Sequence, residues 1–339
     1  DLNMLLECLY QIYGAFENIF LDEIQNVDGW QHFVNRLLRS GMHVLMTGSN
    51  AKLLSSELST HMTGRYMAIE LYPFSFAEYC EAQQIPLTHG TTKEKGLLRK
   101  AFDDYIHDGG FPELINEHRK ETYVQELISG ILTNDIEKRY KIVYKDAFER
   151  MSQHLMNVAP SKLNYADISS LFGFKSKHTA ENYVGYLEKA YLMCLLPRFS
   201  YKSQIRIHGN KAYTVDVSLM NMRRDAFAGE NLGWRLETLV LIELLRRCRP
   251  EGLDIAYLGE RSSECDFLVC RGRSVVAAVQ VSYDISKEKT LKREITGLVS
   301  AAEKTGCSNL LLITDFEERV VVENGFTIKI LPAYAWLAD

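Results

Sequence analysis

The stretch Ile19-Phe20-Leu21-Asp22-Glu23-Ile24-Gln25 decides how this sequence is read, because an apolar run ends there in two adjacent carboxylates. Buried parallel strands read as continuous apolar runs, and open α/β sheets bind ligands beyond the carboxyl ends of their strands. Asp22 and Glu23 therefore fall where a nucleotide site would form. Phosphoryl chemistry there needs one acid to hold Mg²⁺, directly or through water, and can use a second to orient or deprotonate the attacking water. The same pair also suits a plain strand end followed by an acidic helix start.

The flanking sequence extends this frame in both directions. Leu2, Leu5, Leu6, Leu9 and Ile12 recur at helical spacing and predict a helix over 2–13, followed by a strand over 18–22. Asp28-Gly29 opens a turn, and Trp30, Phe33, Val34, Leu37 and Leu38 form a helical stripe that Gly41 stops. A second strand, 43–47, runs into Gly48-Ser49-Asn50, with a helix over 51–58 capped by Ser49 or Asn50. Alternating helices and strands imply a parallel sheet. Ser49 and Asn50, at the end of a neighbouring strand, suit contact with a γ-phosphate or its attacking water, and equally suit simple capping. Arg65 suits charge donation to a transferring phosphoryl group in cis or in trans, or an ordinary packing ion pair.

Three blocks carry a resemblance: IFLDEIQNVDGW (19–30), VLMTGSNAKLLSSELSTHMTGRY (44–66) and ELYPFSFAEY (70–79). Together they resemble the AAA+-type ATPases of bacteria and archaea that carry a C-terminal DUF4143 region, and the resemblance covers essentially the whole chain. It implies that Asp22-Glu23 is the Walker B pair, that Ser49-Asn50 lies at the sensor-1 position, and that Arg65 is the arginine that follows. It also implies ATP and Mg²⁺ as cofactors, with Asp22 toward the metal and Glu23 toward water. Members of that family carry a Gly-rich loop ending in Gly-Lys-Thr or Gly-Lys-Ser upstream of Walker B, whose amides and lysine cradle the phosphates. No such loop precedes Asp22, and roughly twenty residues are too few for it and its flanking elements. With Asp1 rather than Met first, the expectation is a chain lacking its natural N-terminus that by itself hydrolyses ATP poorly.

Composition sets the outer bounds. A chain of 339 residues holds about two or three domains. A net charge of −5 argues against a uniformly basic nucleic-acid coat but leaves room for a local basic patch. There is no apolar run of about 18 residues and no secretory signal, so no membrane partner is expected. The seven cysteines are scattered without a CxxC pair, which points to a reducing cytoplasm rather than to zinc or a disulfide framework.

The expected fold class is α/β multidomain: an incomplete P-loop NTPase-like parallel sheet (1–80), a helical connector (81–159), a winged helix-turn-helix (160–227) and a restriction-endonuclease-like α/β domain of DUF4143 type (228–339). In the connector, a helical run over 94–107 is broken by Gly109-Gly110-Phe111-Pro112-Glu113. An amphipathic stripe over 124–131 then leads into a charged segment, 134–140, read as a solvated or interface cluster.

Residues 163–172, a turn at Gly173, a second helix over 176–190 and strands over 192–196 and 211–215 give the winged-helix order. Between 160 and 215, eight Lys/Arg face three acids. Lys175, Lys177 and His178 open the recognition helix, and Arg198, Lys202 and Arg206 fall on the wing. This set suits phosphate contacts with DNA, or a protein-docking face.

In the last domain the order helix, three strands, helix, strand matches restriction-endonuclease-like cores. Such nucleases hold Mg²⁺ with an Asp on one strand and an (Asp/Glu)-x-Lys on the next, and often add a Glu from the first helix. Glu237, Asp266, Gln280 and Ser282 occupy the matching positions. Gln280 stands for an acid and Ser282 for the lysine, so the site reads as degenerate, with Asp266 as a residual metal candidate and Lys287 or Lys289 as a migrated lysine. The sequence therefore predicts an ATP-binding AAA+-type ATPase coupled to a winged helix and a degenerate nuclease-like module, associated with DNA. The alternatives are a non-catalytic module that binds protein or nucleic acid and, more weakly, a Mg²⁺-dependent nuclease. DNA, another protein or a second copy of the chain are the partners such a molecule would take.

Overall fold

The computed structural model describes residues 2–48, 66–88, 90–201, 209–221, 231–260 and 263–339. They form a mixed α/β protein that divides into two compact units, one mainly of residues 1–71 and the other mainly of residues 72–339. Among the described residues no helix is long and apolar enough to cross a membrane.

The first unit contains α1 (Leu2–Tyr13), β1 (Asn18–Leu21), α2 (Trp30–Arg39) and β2 (His43–Met46). β1 and β2 pair in parallel, with Leu21 opposite Met46, as the alternation of helices and strands predicts. Ile19 and Leu21 point into a core built with Trp30, Phe33, Val34 and Leu37 of α2. The continuous apolar run of β1 implies burial on both faces, yet Phe20 is 75% and Leu45 50% exposed. α2 covers only one face of the pair, and side chains along a strand alternate between faces. The predicted helix over 51–58 lies outside the described residues.

The second unit opens with α3 (Phe76–Ala82) and α4 (Thr92–Asp108), each started by a reciprocal capping box, Ser75 with Glu78 and Thr91 with Glu94. α5 (Lys120–Gly130) continues as a π-helical turn, Ile131–Glu137. Here Asp135 pairs with Arg139 at 3.7 Å and Glu137 with Lys145 at 2.7 Å, so the charged segment is partly locked within the fold.

The chain then runs through α6 (Lys145–Val158), β3 (Ser161–Lys162), α7 (Tyr165–Phe172), α8 (Lys177–Lys189), β4 (Met193–Pro197) and β5 (Asn210–Thr214). The strands form an antiparallel sheet in the order β3-β5-β4. Asn164 caps α7 by accepting from the Ala166 and Asp167 amides, and Gly173, at φ 73°, ends it.

The C-terminal part comprises α9 (Leu232–Cys248), β6 (Asp254–Glu260), β7 (Ser263–Arg271), β8 (Ser274–Val281), α10 (Glu288–Thr305), β9 (Leu310–Thr314), β10 (Arg319–Glu323), β11 (Phe326–Pro332) and α11 (Ala333–Ala338). Its six-stranded sheet has the order β10-β11-β9-β8-β7-β6. β6, β7 and β8 are antiparallel neighbours, whereas β9 is parallel to both β8 and β11. α9 and α11 pack on one face, in a core with Phe267, Val279 and Ile313, and α10 packs on the other with Leu268, Leu312 and Ile328.

The Gly109-Gly110 break proves to be a packing joint. Gly110 N–H donates to Asp216 Oδ2 at 2.8 Å, and Phe74 N–H donates to Gly110 O at 2.7 Å. Arg235 of α9 donates to the carbonyls of Ile106, His107 and Val217 at 3.2–3.3 Å, and is itself buried. Gly109 sits at φ 80°, ψ −167°, a region essentially reserved for glycine, and a Cβ there would collide with the Asp216 carboxylate. Gly109→Ala is expected to destabilise the protein by about 3 kcal/mol or more in chemical denaturation, through strain added to overpacking. Gly272→Ala, with open space around its Cβ and only a positive φ to oppose it, should cost far less.

Candidate functional site

Two groups of acidic side chains sit in opposite environments. The first is the pair after β1. Because Leu21 lies opposite Met46, the next residues of the two strands, Asp22 and Thr47, fall side by side. The Thr47 amide donates to Leu21 O at 3.0 Å, and the Thr47 hydroxyl donates to Asp22 Oδ1. Asp22 is otherwise exposed.

Glu23 adopts left-handed backbone angles, φ 47° and ψ 34°, an uncommon state for a residue with a side chain. It opens a single 3-10 turn, Ile24–Asn26, which the buried Ile24 pins to the core. Gln25 Nε2 donates to Glu23 Oε2, while Gln25 Oε1 is buried without a partner in the protein. Two accessible carboxylates, one oriented by a hydroxyl and one by an amide, supply the hard oxygen ligands that Mg²⁺ takes, so these residues fit a Mg²⁺-nucleotide. Sequence reading did not single out Thr47 and Gln25. Thr47 was discoverable as the residue that pairs with Asp22 once the strands are set in parallel. Ser49, Asn50 and Arg65 lie outside the described residues.

Of the basic set, Lys175, Lys177 and His178 are exposed at the start of α8, where His178 Nδ1 lies 3.3 Å from Glu181. Arg198 follows β4, but its backbone bridges in parallel to Tyr257 of β6. The adjacent Phe199 amide donates to Tyr257 O at 2.7 Å, so this end of the loop is tied to the larger sheet. Lys202 and Arg206 lie outside the described residues.

The second acidic group is buried. β7 carries a bulge where Asp266 and Phe267 together oppose Tyr257, since Ala256 pairs with Leu268 and Leu258 with Cys265. The bulge takes the Asp266 amide out of the ladder, and it donates to Gln280 Oε1 at 3.1 Å. In return Asp266 Oδ2 accepts from the Val281 amide at 3.0 Å. Gln280 Nε2 then donates to Glu294 Oε2 of α10 at 2.8 Å. α10 approaches closely here because Gly297 has no Cβ to meet the Glu264 carbonyl. A carboxylate at position 280 could accept from Asp266 but could not donate to Glu294. Gln280 is thus the group this arrangement requires.

On the other side, Glu237 Oε1 accepts from Lys211 Nζ at 2.6 Å and from the Tyr213 hydroxyl at 2.7 Å. Lys211 Nζ also lies 3.9 Å from Asp266 Oδ1. This lysine comes from β5, outside the C-terminal sheet. The expectation of a migrated lysine at Lys287 or Lys289 is corrected: both are exposed, and Lys211 is the lysine against the acids. Ser282 stands apart, its hydroxyl donating to Asp284 O at 3.4 Å.

The electrostatics follow from burial. Desolvation, reinforced by the neighbouring Glu237 charge, pushes the Asp266 carboxyl well above the usual carboxylate range despite the opposing pull of Lys211. Burial works to lower the Lys211 ammonium, but the charges of Glu237 and Asp266 outweigh it and hold the group above its ordinary value. One cation thus serves two acids, one of which favours its neutral form. Asp266 has one oxygen committed to an amide and the other facing an ammonium, so these residues do not fit a divalent cation. Among the described residues no three metal-ligating side chains converge.

Two variants separate these contributions. Lys211→Met leaves the largely buried Glu237 carboxylate, 12% exposed, beside Asp266 without its cation and should destabilise the protein by about 3 kcal/mol. Asp266→Asn keeps an acceptor for Val281 and removes the disfavoured charge. The unfolded chain releases the Asp266 proton near pH 3.9 and the folded chain only at a higher pH. Stability from this group therefore falls as pH rises through that window. Asp266→Asn should flatten that decline in thermal melts taken across pH.

A family model described as an AAA domain matches residues 1–80. Over residues 99–229 the matching model is a domain of unknown function, DUF8612, rather than the DUF4143 region that the resemblance implies. An uncharacterized protein of Methanocaldococcus jannaschii, MJ1544, is 33% identical over 350 aligned positions, covering 99% of this chain and 78% of that protein. An uncharacterized protein of Haemophilus influenzae is 34% identical over 275 positions, covering 78% of this chain and 65% of that protein. No solved structure matches the chain significantly. With similarity to MJ1544 along nearly its whole length, the chain belongs to the same family as this archaeal protein, and its residues 1–80 match an AAA domain.

Proposed function

We propose that this protein is an ATP-driven AAA-type ATPase whose C-terminal half binds a partner rather than cutting one. The observation that carries the proposal is the acid pair at the end of β1: Asp22 is set beside Thr47 by the parallel register, and Glu23, in a left-handed backbone state, accepts from Gln25. Bound Mg²⁺-ATP would supply the divalent cation and the transferable phosphoryl group. Asp22, held by Thr47, offers its carboxylate to the cation or to a water on it. Glu23, held by Gln25, would orient water and take its proton. In the role the sequence suggests, Ser49 and Asn50 sense the γ-phosphate and Arg65 adds positive charge.

The succession α6-β3-α7-α8-β4-β5, with sheet order β3-β5-β4, supports a winged helix-turn-helix. The exposed Lys175, Lys177 and His178 support contact with DNA phosphates. The succession α9-β6-β7-β8-α10-β9 supports a restriction-endonuclease-like module. Within it, Lys211 between Glu237 and Asp266 favours a non-catalytic platform over a Mg²⁺-dependent nuclease. The second reading, a purely regulatory module that binds protein or nucleic acid, draws on that same lysine.

In the full-length protein, Glu23→Gln should leave Mg²⁺-ATP binding within about twofold and lower hydrolysis by about 10²-fold or more. Unchanged turnover in a phosphate-release assay would remove Glu23 from the chemistry. For DNA, the slope of log affinity against log salt should shrink by about 2 when Lys175 and Lys177 are both changed to Ala. Salt-independent binding would contradict the phosphate-contact reading.

A further inference from the structure

The six-stranded sheet treats its two edges differently. At β6 the edge is partly covered, because Arg198 and Phe199 bond to Tyr257. At β10 the sequence is Arg319-Val320-Val321-Val322-Glu323, the outermost strand of the sheet. Exposed edges are normally blunted by proline, a bulge or a mid-strand lysine, and this strand has three consecutive valines instead. Val320 and Val322 are 63% and 66% exposed, whereas Val321, on the opposite face, packs against the core under α10.

The hairpin fixes which backbone groups are unpaired. Asn324 and Gly325 both have positive φ, 51° and 81°, as a two-residue type I′ turn requires. In such a hairpin the closing pair, Glu323 with Phe326, exchanges hydrogen bonds, and the pattern alternates along the ladder. Val321 and Arg319 therefore bond inward to β11, and the N–H and C=O groups of Val320 and Val322 point out of the sheet.

We propose that β10 is the contact between two copies of this chain, paired antiparallel about a twofold axis through Val321. The strand is self-complementary in that register. Val320 of one copy lies opposite Val322 of the other, and their outward groups make about four backbone hydrogen bonds. Val321 meets Val321 on the α10 face, and the four exposed valines form one apolar strip on the other. Arg319 lies opposite Glu323 of the second copy at both ends, an opposite-charge pair that a one-residue slip would lose. Arg319 also bonds Glu317 in its own chain at 3.1 Å, and a guanidinium has donors enough for both. The contact is isologous and closes at two copies. A single strand pair buries little area, so the dimer is a weak one.

The test is sedimentation velocity of the full-length protein over a range of concentrations. The native chain should pass reversibly from monomer to dimer. Val320→Pro removes an N–H that the intramolecular ladder does not use, so the melting temperature should hold while dimerisation weakens by about tenfold or more. Arg319→Glu and Glu323→Arg should each weaken self-association by placing like charges opposite. Mixed in equal amounts, these two variants should form a heterodimer, since every end then pairs opposite charges. A protein monomeric at every concentration, a dimer indifferent to Val320→Pro, or charge variants that do not associate with each other would each overturn the proposal.

Discussion

The ammonium of Lys211 against Glu237 and Asp266 is the interaction on which the second unit depends. Three elements far apart in sequence meet there: β5 brings the lysine, α9 brings Glu237, and the bulge of β7 brings Asp266. Most of what surrounds them is apolar, including Phe267, Leu236 and Val279. Leaving one charge unpaired in such surroundings costs several kcal/mol, so each element constrains the others. The three-stranded sheet is thereby fixed to the six-stranded one by charge, as well as by the backbone bridge at Arg198. The joint at Asp216 acts in the same way on α3 and α4, through Gly110, Phe74 and Arg235.

Carboxylates do opposite things in the two units because their surroundings differ. Asp22 is exposed and Glu23 half-buried just beyond the end of β1, within reach of water. Asp266 is buried and Glu237 largely so, with Asp266 Oδ2 held by an amide and Glu237 Oε1 by a phenol and an ammonium. An internal lysine satisfies the acids with a charge that cannot dissociate. The result is a joint in which the Lys211 ammonium takes the place between the two acids.

The sequence made the elements around Asp22 legible, because strand ends, caps and glycine stops are local signals. The predicted strand over 18–22 and helix over 94–107 appear as Asn18–Leu21 and Thr92–Asp108. The C-terminal order of helix and strands was also readable from its apolar runs. β10 was missed although Asn324-Gly325 is a strong hairpin signal, because a strand that buries almost nothing lacks the alternation that announces one. α6 was missed inside a segment read as connector, and its buried Phe148, Met151 and Leu155 show the stripe that was there.

The site was legible only in part. Gln280 and Ser282 stand out in sequence as departures from an expected pattern, but the pattern says nothing of what replaces it. Gln280 is explained by its two partners, and these depend on the bulge at Asp266 and on the close approach of α10 at Gly297. Lys211 lies in a different sheet from Asp266, so no spacing rule could pair them. The most direct measurement is the amide signal of Val281, which reports on the Asp266 carboxylate to which it is bonded. Titrating Mn²⁺ into the isotope-labelled protein should leave that signal sharp to millimolar metal, because Lys211 already supplies the positive charge. Selective broadening of Val281 at micromolar Mn²⁺, abolished by Asp266→Asn, would show a working cation site and contradict this account.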